Sequence, residues 1–186
     1  ARGRIVVLPE SAFPQFADEI PPDVFQRIAA MGRARDGAVL VGLFVAEPPE
    51  SPGEGERIHN SVVSLGAAPP QLYRKHHLVP FGETIPLKTV TGWFINRVLA
   101  IPLADQAAGP AVQPPFAVAG QRIAVNICYE DLFGHVIRRA WSDPATAPTM
   151  MLNLSNLAWF EDSIALPQHL QMSRMRTLET QHTMLR

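Results

Sequence analysis

With a single cysteine, Cys128, in 186 residues the chain can form no internal disulfide, and a disulfide-free domain suits either cytosol or periplasm. Neither sign of charge is in excess. The 17 acidic and 16 basic residues leave a formal net charge of -1, with no long run of either sign, so nothing suggests a nucleic-acid footprint or a polybasic membrane patch. Long apolar runs are also missing: "VTGWFINRVLAIPLA" contains Arg97 and falls short of the roughly 20 residues that span a bilayer. No stretch of the chain as given reads as a spanning helix. The opening "ARGRIVVLPESAFPQF" has no charged segment leading into an apolar one and does not read as a signal peptide. No internal repeat is visible, and no linker divides the chain, so residues 1 to 186 are expected to form one domain. At 47% hydrophobic and 18% charged, the composition is that of an ordinary globular domain with a real core.

The order of elements predicts a layered α/β fold. Ile5 to Leu8 form a short apolar run stopped by Pro9, which places Glu10 at the carboxyl end of a strand. "PPDVFQRIAAMGRAR" predicts a helix, with Val24, Phe25, Ile28, Ala29 and Met31 at helical spacing behind leading prolines. "GAVLVGLFVA" is a continuous apolar run of strand length, as expected where both faces of a sheet are covered. "RIHNSVVSL" and "QLYRKHHLV" read as two hairpin strands, with Lys75 near the end of the second. "QRIAVNIC" and "TMMLNLSN" are further strands, "EDLFGHVIRRAW" a helix, and "ALPQHLQMSRMRTLETQHTML" a long helix in which Met172 and Met175 read as core. The 18 prolines concentrate in the connections "EPPESPGEGE", "VPFGETIPLKTV" and "GPAVQPPFAVAG"; "WFINRVLAIPL" is ambiguous. Long ordered loops usually carry function or form a lid.

Glu10, Lys75 and Cys128 thus stand at the ends of three separate predicted strands. In an open α/β sheet the carboxyl ends cluster at one edge, where such folds place their sites. A carboxylate can take a thiol proton, a thiolate can attack a carbonyl, and an ammonium can stabilise the oxyanion that results. The competing reading of a lone cysteine is core filling. The histidines His59, His76, His77, His135, His169 and His182 have no metal-ligand spacing, so no metal is expected.

The stretches "LPESAFP", "YRKHHLVPFGETIPL", "ICYEDLFG" and "NLSNLAWFEDSIALPQHLQMSRMRTLETQHTMLR" occur in order along nearly the whole chain. Together they resemble the nitrilase superfamily, specifically its apolipoprotein N-acyltransferase branch. The resemblance implies a four-layer αββα sandwich and a Glu-Lys-Cys triad at Glu10, Lys75 and Cys128. It further implies that the chain lacks the first strand and stops where the family continues, so that it is a nitrilase-like domain truncated at both ends, part of a longer inner-membrane protein with this domain on the periplasmic side.

The implied reaction has two steps and no cofactor. Glu10 is the base for the Cys128 thiol, which takes an acyl chain from a phospholipid as a thioester. The α-amine of a diacylglyceryl-modified apolipoprotein then receives it. Lys75 and the Tyr129 N–H hold the oxyanion, and Glu83 positions Lys75 or else caps its loop. Glu130 either supports the nucleophile or caps the helix behind it. Residues 81 to 95 and 156 to 165 are expected to border the pocket, with Phe81, Trp93, Trp159 and Phe160 toward an acyl chain; core packing is the alternative for Trp159 and Phe160. Leu157 and Glu161 stand where the family has Asp and Gly, and glycine permits backbone angles that Glu161 does not, which predicts a different loop geometry. Two other readings stand beside it: a soluble nitrilase-type amidase that uses the same triad on a small amide, and a non-catalytic truncated domain that binds lipid or a partner.

Overall fold

The computed structural model describes residues 3–80, 82–84 and 106–186. Strand β1 (Ile5–Val7) ends just before Pro9, and helix α1 (Pro22–Arg33) starts on a proline with Asp23 in its first turn. The fixed φ of proline suits the first helical position, and an acidic side chain there complements the helix dipole. β1 lies parallel to β2 (Ala38–Glu47), which pairs antiparallel with β3 (Arg57–Gly66), and β3 pairs antiparallel with β4 (Gln71–Arg74). A second four-stranded sheet holds β5 (Phe116–Val118), β6 (Gln121–Ile127), β7 (Met150–Leu154) and β8 (Met184–Leu185) in that order. β6, β7 and β8 run parallel.

Side-chain alternation along the strands sets the layers. Ala38 and Leu40 of β2 and Val62 of β3 pack against Phe116, Val118, Ile123, Val125, Ile127, Leu152 and Leu154, joining the two sheets face to face. Val39, Val41 and Leu43 point the other way, onto Val24, Phe25, Ile28 and Ala29 of α1. On the far side of the second sheet, Ala124 and Met151 meet Ile137 and Trp141. Helix α2 (Gly134–Ile137) lies there, and α3 (Ala165–Thr180) follows β7. The result is the expected αββα order. No helix among the described residues is long and apolar enough to cross a membrane.

Four sequence expectations are corrected. The helix expected over residues 130–141 is broken into a 3-10 turn (Cys128–Leu132), α2, and a second 3-10 turn (Arg138–Trp141). Glu130 and Asp131 are buried rather than solvated, so their carboxylates turn inward for partners, and Phe133 leaves the helical region with φ -94° and ψ 77°. The last helix ends at Thr180, because Gln181 takes a left-handed φ of 57° and returns the chain to β8. "GPAVQPPFAVAG" contains β5, turned into β6 by Ala119 and Gly120, both at positive φ, which is what a two-residue primed hairpin requires. Met175, read as core, is 42% exposed. The ambiguous "WFINRVLAIPL" segment lies outside the described residues.

Candidate active site

The last residues of the strands bring the candidates together. Glu10 follows β1 in a loop that crosses β2 at Gly42, where a Cβ would lie 2.5 Å from the Pro9 carbonyl. Lys75 is the first residue after β4 and is held there by its own N–H, which donates to the Asn60 carbonyl on β3 at 2.8 Å. Cys128 follows β6 and takes a left-handed φ of 53°, unusual for a residue with a side chain and a conformation that collects at functional sites. It turns the chain sharply out of the strand. Asn153 of β7 supports that turn, donating to the Cys128 carbonyl at 2.7 Å and to the Asn126 side chain at 2.6 Å.

Lys75 is only 1% exposed. Its ammonium donates to Glu83 Oε1 at 2.7 Å and lies 3.5 Å from Glu10 Oε1. Burial by itself would lower the Lys75 pKa, but Glu10 and Glu83 outweigh it and hold it above the ordinary lysine value. A buried lysine here stays charged because two carboxylates surround it. Glu10 also accepts from Asn60 Nδ2 at 2.9 Å and from the Asn156 N–H at 3.0 Å. Glu83 makes two contacts: one oxygen accepts from Lys75, and the other accepts from the Val79 N–H of its own loop, 2.9 Å away.

The Cys128 thiol feels this whole cluster. Burial and then the Glu10 charge push it up to about 12, against the opposing pull of Lys75 and of the Tyr129 N–H, which donates toward the sulfur. At neutral pH the resting form is therefore the thiol, and a neighbouring base has to remove its proton as the sulfur attacks. Glu10, Lys75 and the Tyr129 N–H all act on the thiol's protonation, which puts a carboxylate, an ammonium and a backbone donor within reach of its electrostatics. The set can attack a carbonyl, hold the acyl group on sulfur, and release it to a second nucleophile.

Glu130 has a larger structural part than a cap. Its carboxylate accepts from the Tyr73 hydroxyl at 2.9 Å, from the N–H groups of His76 and His77 at 2.8 and 2.9 Å, and from the Ile127 N–H at 2.7 Å. One side chain thus ties the nucleophile's turn to the segment that carries Lys75. Asp131 ties the same turn to α3 through the Ser173 hydroxyl at 2.5 Å. Phe160, in a 3-10 turn (Ala158–Phe160), is 49% exposed and so does not pack in the core. Phe81, Trp93 and the side chain of Trp159 lie outside the described residues. Among the described residues no group of His, Cys, Asp and Glu side chains could hold a metal ion.

Sequence reasoning missed Asn60, Asn153 and the Asn156 N–H. One signal was available for the first: His59, Asn60 and Ser61 are buried polar residues in an otherwise apolar strand, and buried polar groups need partners. Glu161 takes φ 48° and ψ -150°, an angle pair that glycine adopts freely, so the backbone angle expected only of glycine occurs here with no glycine present.

Comparison with known proteins gives the family and the fold. A family model described as carbon-nitrogen hydrolase matches residues 3–185. An apolipoprotein N-acyltransferase from Nitrosomonas europaea is 45% identical over 183 residues, which cover 98% of this chain and 35% of that protein. One from Ralstonia nicotianae is 43% identical, with 98% and 34% covered. The chain therefore spans about a third of the length of the curated relatives it matches. Among solved structures, a carbon-nitrogen hydrolase from Helicobacter pylori superposes with a TM-score of 0.55 at 15% identity, covering 98% of this chain and 61% of that one. The C. elegans NitFhit protein gives 0.57 at 16% identity, with 97% and 43% covered. At such identities the likeness speaks for the fold.

Proposed function

The chain belongs to the carbon-nitrogen hydrolase family, and from that premise we propose that it is the acyl-transferring domain of a longer protein, an apolipoprotein N-acyltransferase. The observation that carries the proposal is the buried Lys75 between Glu10 and Glu83 beside Cys128, in a chain whose relatives at 45% and 43% identity bear that name. Glu10 accepts the Cys128 proton while sulfur attacks the ester carbonyl of a phospholipid. Lys75 and the Tyr129 N–H stabilise the oxyanion, and removing one such donor typically costs about 10²–10³ in rate. As the tetrahedral intermediate collapses, the carbon–oxygen bond breaks and Glu10 returns its proton to the leaving lysophospholipid alkoxide, which leaves a thioester on Cys128. The α-amine of a diacylglyceryl-modified apolipoprotein then attacks the thioester. Glu10 takes the amine proton and passes it to the departing thiolate. Segments outside this chain hold the protein in the inner membrane, with this domain on the periplasmic side, where the exposed Phe160 meets the acyl chain.

The test is an order-of-addition experiment on the full-length protein. Phospholipid without an amine acceptor should raise the mass of the Cys128 peptide by one acyl group, removable by hydroxylamine, because splitting the transfer leaves the acyl-enzyme waiting. A peptide bearing a diacylglyceryl N-terminal cysteine should then discharge it as an amide. Absence of acyl-Cys128, or discharge to water at the same rate with and without the peptide, would refute the proposal.

A further inference from the structure

We propose that Asn60 is a positioning residue for this chemistry, holding Glu10 and Glu83 in place around Lys75 as a neutral second donor; this rests on the acyl-transfer reading above. Asn60 sits on β3, between β2 and β4, and is almost fully buried. Its Nδ2 donates to Glu10 Oε1 at 2.9 Å and to Glu83 Oε1 at 3.2 Å. The same two oxygens face Lys75 Nζ at 3.5 and 2.7 Å. Two carboxylate oxygens and two nitrogens therefore alternate around one small ring. The two hydrogens of a primary amide suffice for the two acceptors.

The need for such a residue follows from charge. One ammonium cannot offset two carboxylates held this close, and like charges at short range in a buried site repel strongly. A second cation would neutralise the pair and would also drain Glu10 of its affinity for the Cys128 proton. A neutral amide holds both carboxylates without doing that. Its orientation is fixed by the same logic, since a flipped amide would aim its carbonyl at two anions. The native orientation leaves Asn60 Oδ1 buried with no partner among the described residues, an exception of the kind that a functional role explains. Asn60 also accepts the Lys75 N–H through its own carbonyl, so one residue sets both ends of Lys75. Once Glu10 has taken the thiol proton, Lys75 and Asn60 retain Glu83 as their charged partner, and the ring survives the reaction.

Single-turnover acylation of Cys128 in the full-length protein, with vesicles of total bacterial phospholipid as donor, separates positioning from packing. Asn60→Leu should acylate about 10–100-fold more slowly at pH 7, an effect of misplacing reacting groups. The lipid concentration for half-maximal rate should not move, because Asn60 does not face the substrate, and the acidic limb of the pH profile should lie at higher pH. Asn60→Asp matches Asn60 in size but adds a third carboxylate, so it should fall below Asn60→Leu at pH 8 and overtake it near pH 5, where a protonated side chain can donate again. Parental rate and pH profile in Asn60→Leu would overturn the proposal, as would equal losses in both variants at every pH. If Asn60→Leu does not fold, the pH profile of Asn60→Asp decides. A parent that forms no acyl-Cys128 sinks the acyl-transfer reading instead. Asn60 is then judged by iodoacetamide labelling of Cys128, which should be slower in Asn60→Leu at pH 9 because Lys75 is less firmly held; unchanged labelling would overturn the positioning role.

Discussion

Glu10→Gln should change two reactions of Cys128 in opposite directions. Alkylation by a reagent such as iodoacetamide needs only thiolate, whereas acylation by an ester needs a base that accepts the proton during attack. The parent thiol lies at about 12, so at pH 8 only about one molecule in 10⁴ carries thiolate. Burial is the first cause of that value, and it persists in the variant. The Glu10 charge is the second cause, and it disappears. A unit charge about 5 Å away at an effective dielectric near 20 is worth about 3 kcal/mol, or about two pH units. Thiolate therefore becomes up to about a hundredfold more abundant. Intrinsic nucleophilicity falls with basicity, with a slope of about 0.4–0.5, and this removes about half of the gain on a logarithmic scale. The net expectation is about tenfold faster alkylation at pH 8 with acylation at least about a hundredfold slower. Peptide mass spectrometry of Cys128 reads both. Glu83→Gln is the control, with a smaller increase in alkylation, because Glu83 is the last of the influences raising the thiol. If Glu10→Gln slows alkylation in parallel with acylation, the carboxylate is not what holds the proton on sulfur and the assignment of Glu10 as base loses its physical support.

Glu130→Ala leaves the Tyr73 hydroxyl and the N–H groups of Ile127, His76 and His77 without their acceptor. The unfolding free energy from a urea titration should fall by about 3–5 kcal/mol, and a loss under 1 kcal/mol would refute the clamp. Burial raises the Glu130 carboxyl above 4.5, so its contribution to stability is complete below that pH and is lost as pH rises through the raised value; Glu130→Gln should gain stability relative to the parent as pH rises above about 4.5, and a constant difference would contradict this. Asn153→Leu removes the donor to the Cys128 carbonyl and with it part of what enforces a left-handed residue, which should slow acylation about tenfold; an unchanged rate would mean that the turn holds without Asn153. Glu161→Gly relieves the φ of 48° and should raise the melting temperature, by about 1 kcal/mol in stability, while a lower melting temperature would show that Glu161 is held by contacts worth more than its strain.

Hydrophobic pattern made the frame legible, because the covering of both faces of β2 leaves a mark in the sequence. Val39, Val41 and Leu43 are apolar for α1, and Ala38 and Leu40 are apolar for the second sheet, so the run shows no alternation and reads as a buried strand. The same reasoning put Glu10, Lys75 and Cys128 at strand ends, which is where the structure has them. It failed where a polar side chain rather than an apolar stripe sets the backbone. "EDLFGHVIRRAW" has helical spacing, yet Glu130 bonds to the Ile127 N–H behind it and to the His76 and His77 N–H groups of a segment more than fifty residues away, and these bonds hold the chain in a tighter turn. No periodicity encodes a partner at that distance. Asn60 shows the same limit within the site. Its neighbours mark a polar interruption in an apolar strand, which says that a buried polar group has a partner but not which one, since Glu10 lies fifty residues before it and Glu83 twenty-three after. Only the register of β3 between β2 and β4 brings those carboxylates to one amide, so the residue types of the site can be read from the strands that carry them, whereas the charge balance that makes them reactive exists only once both sheet neighbours are paired.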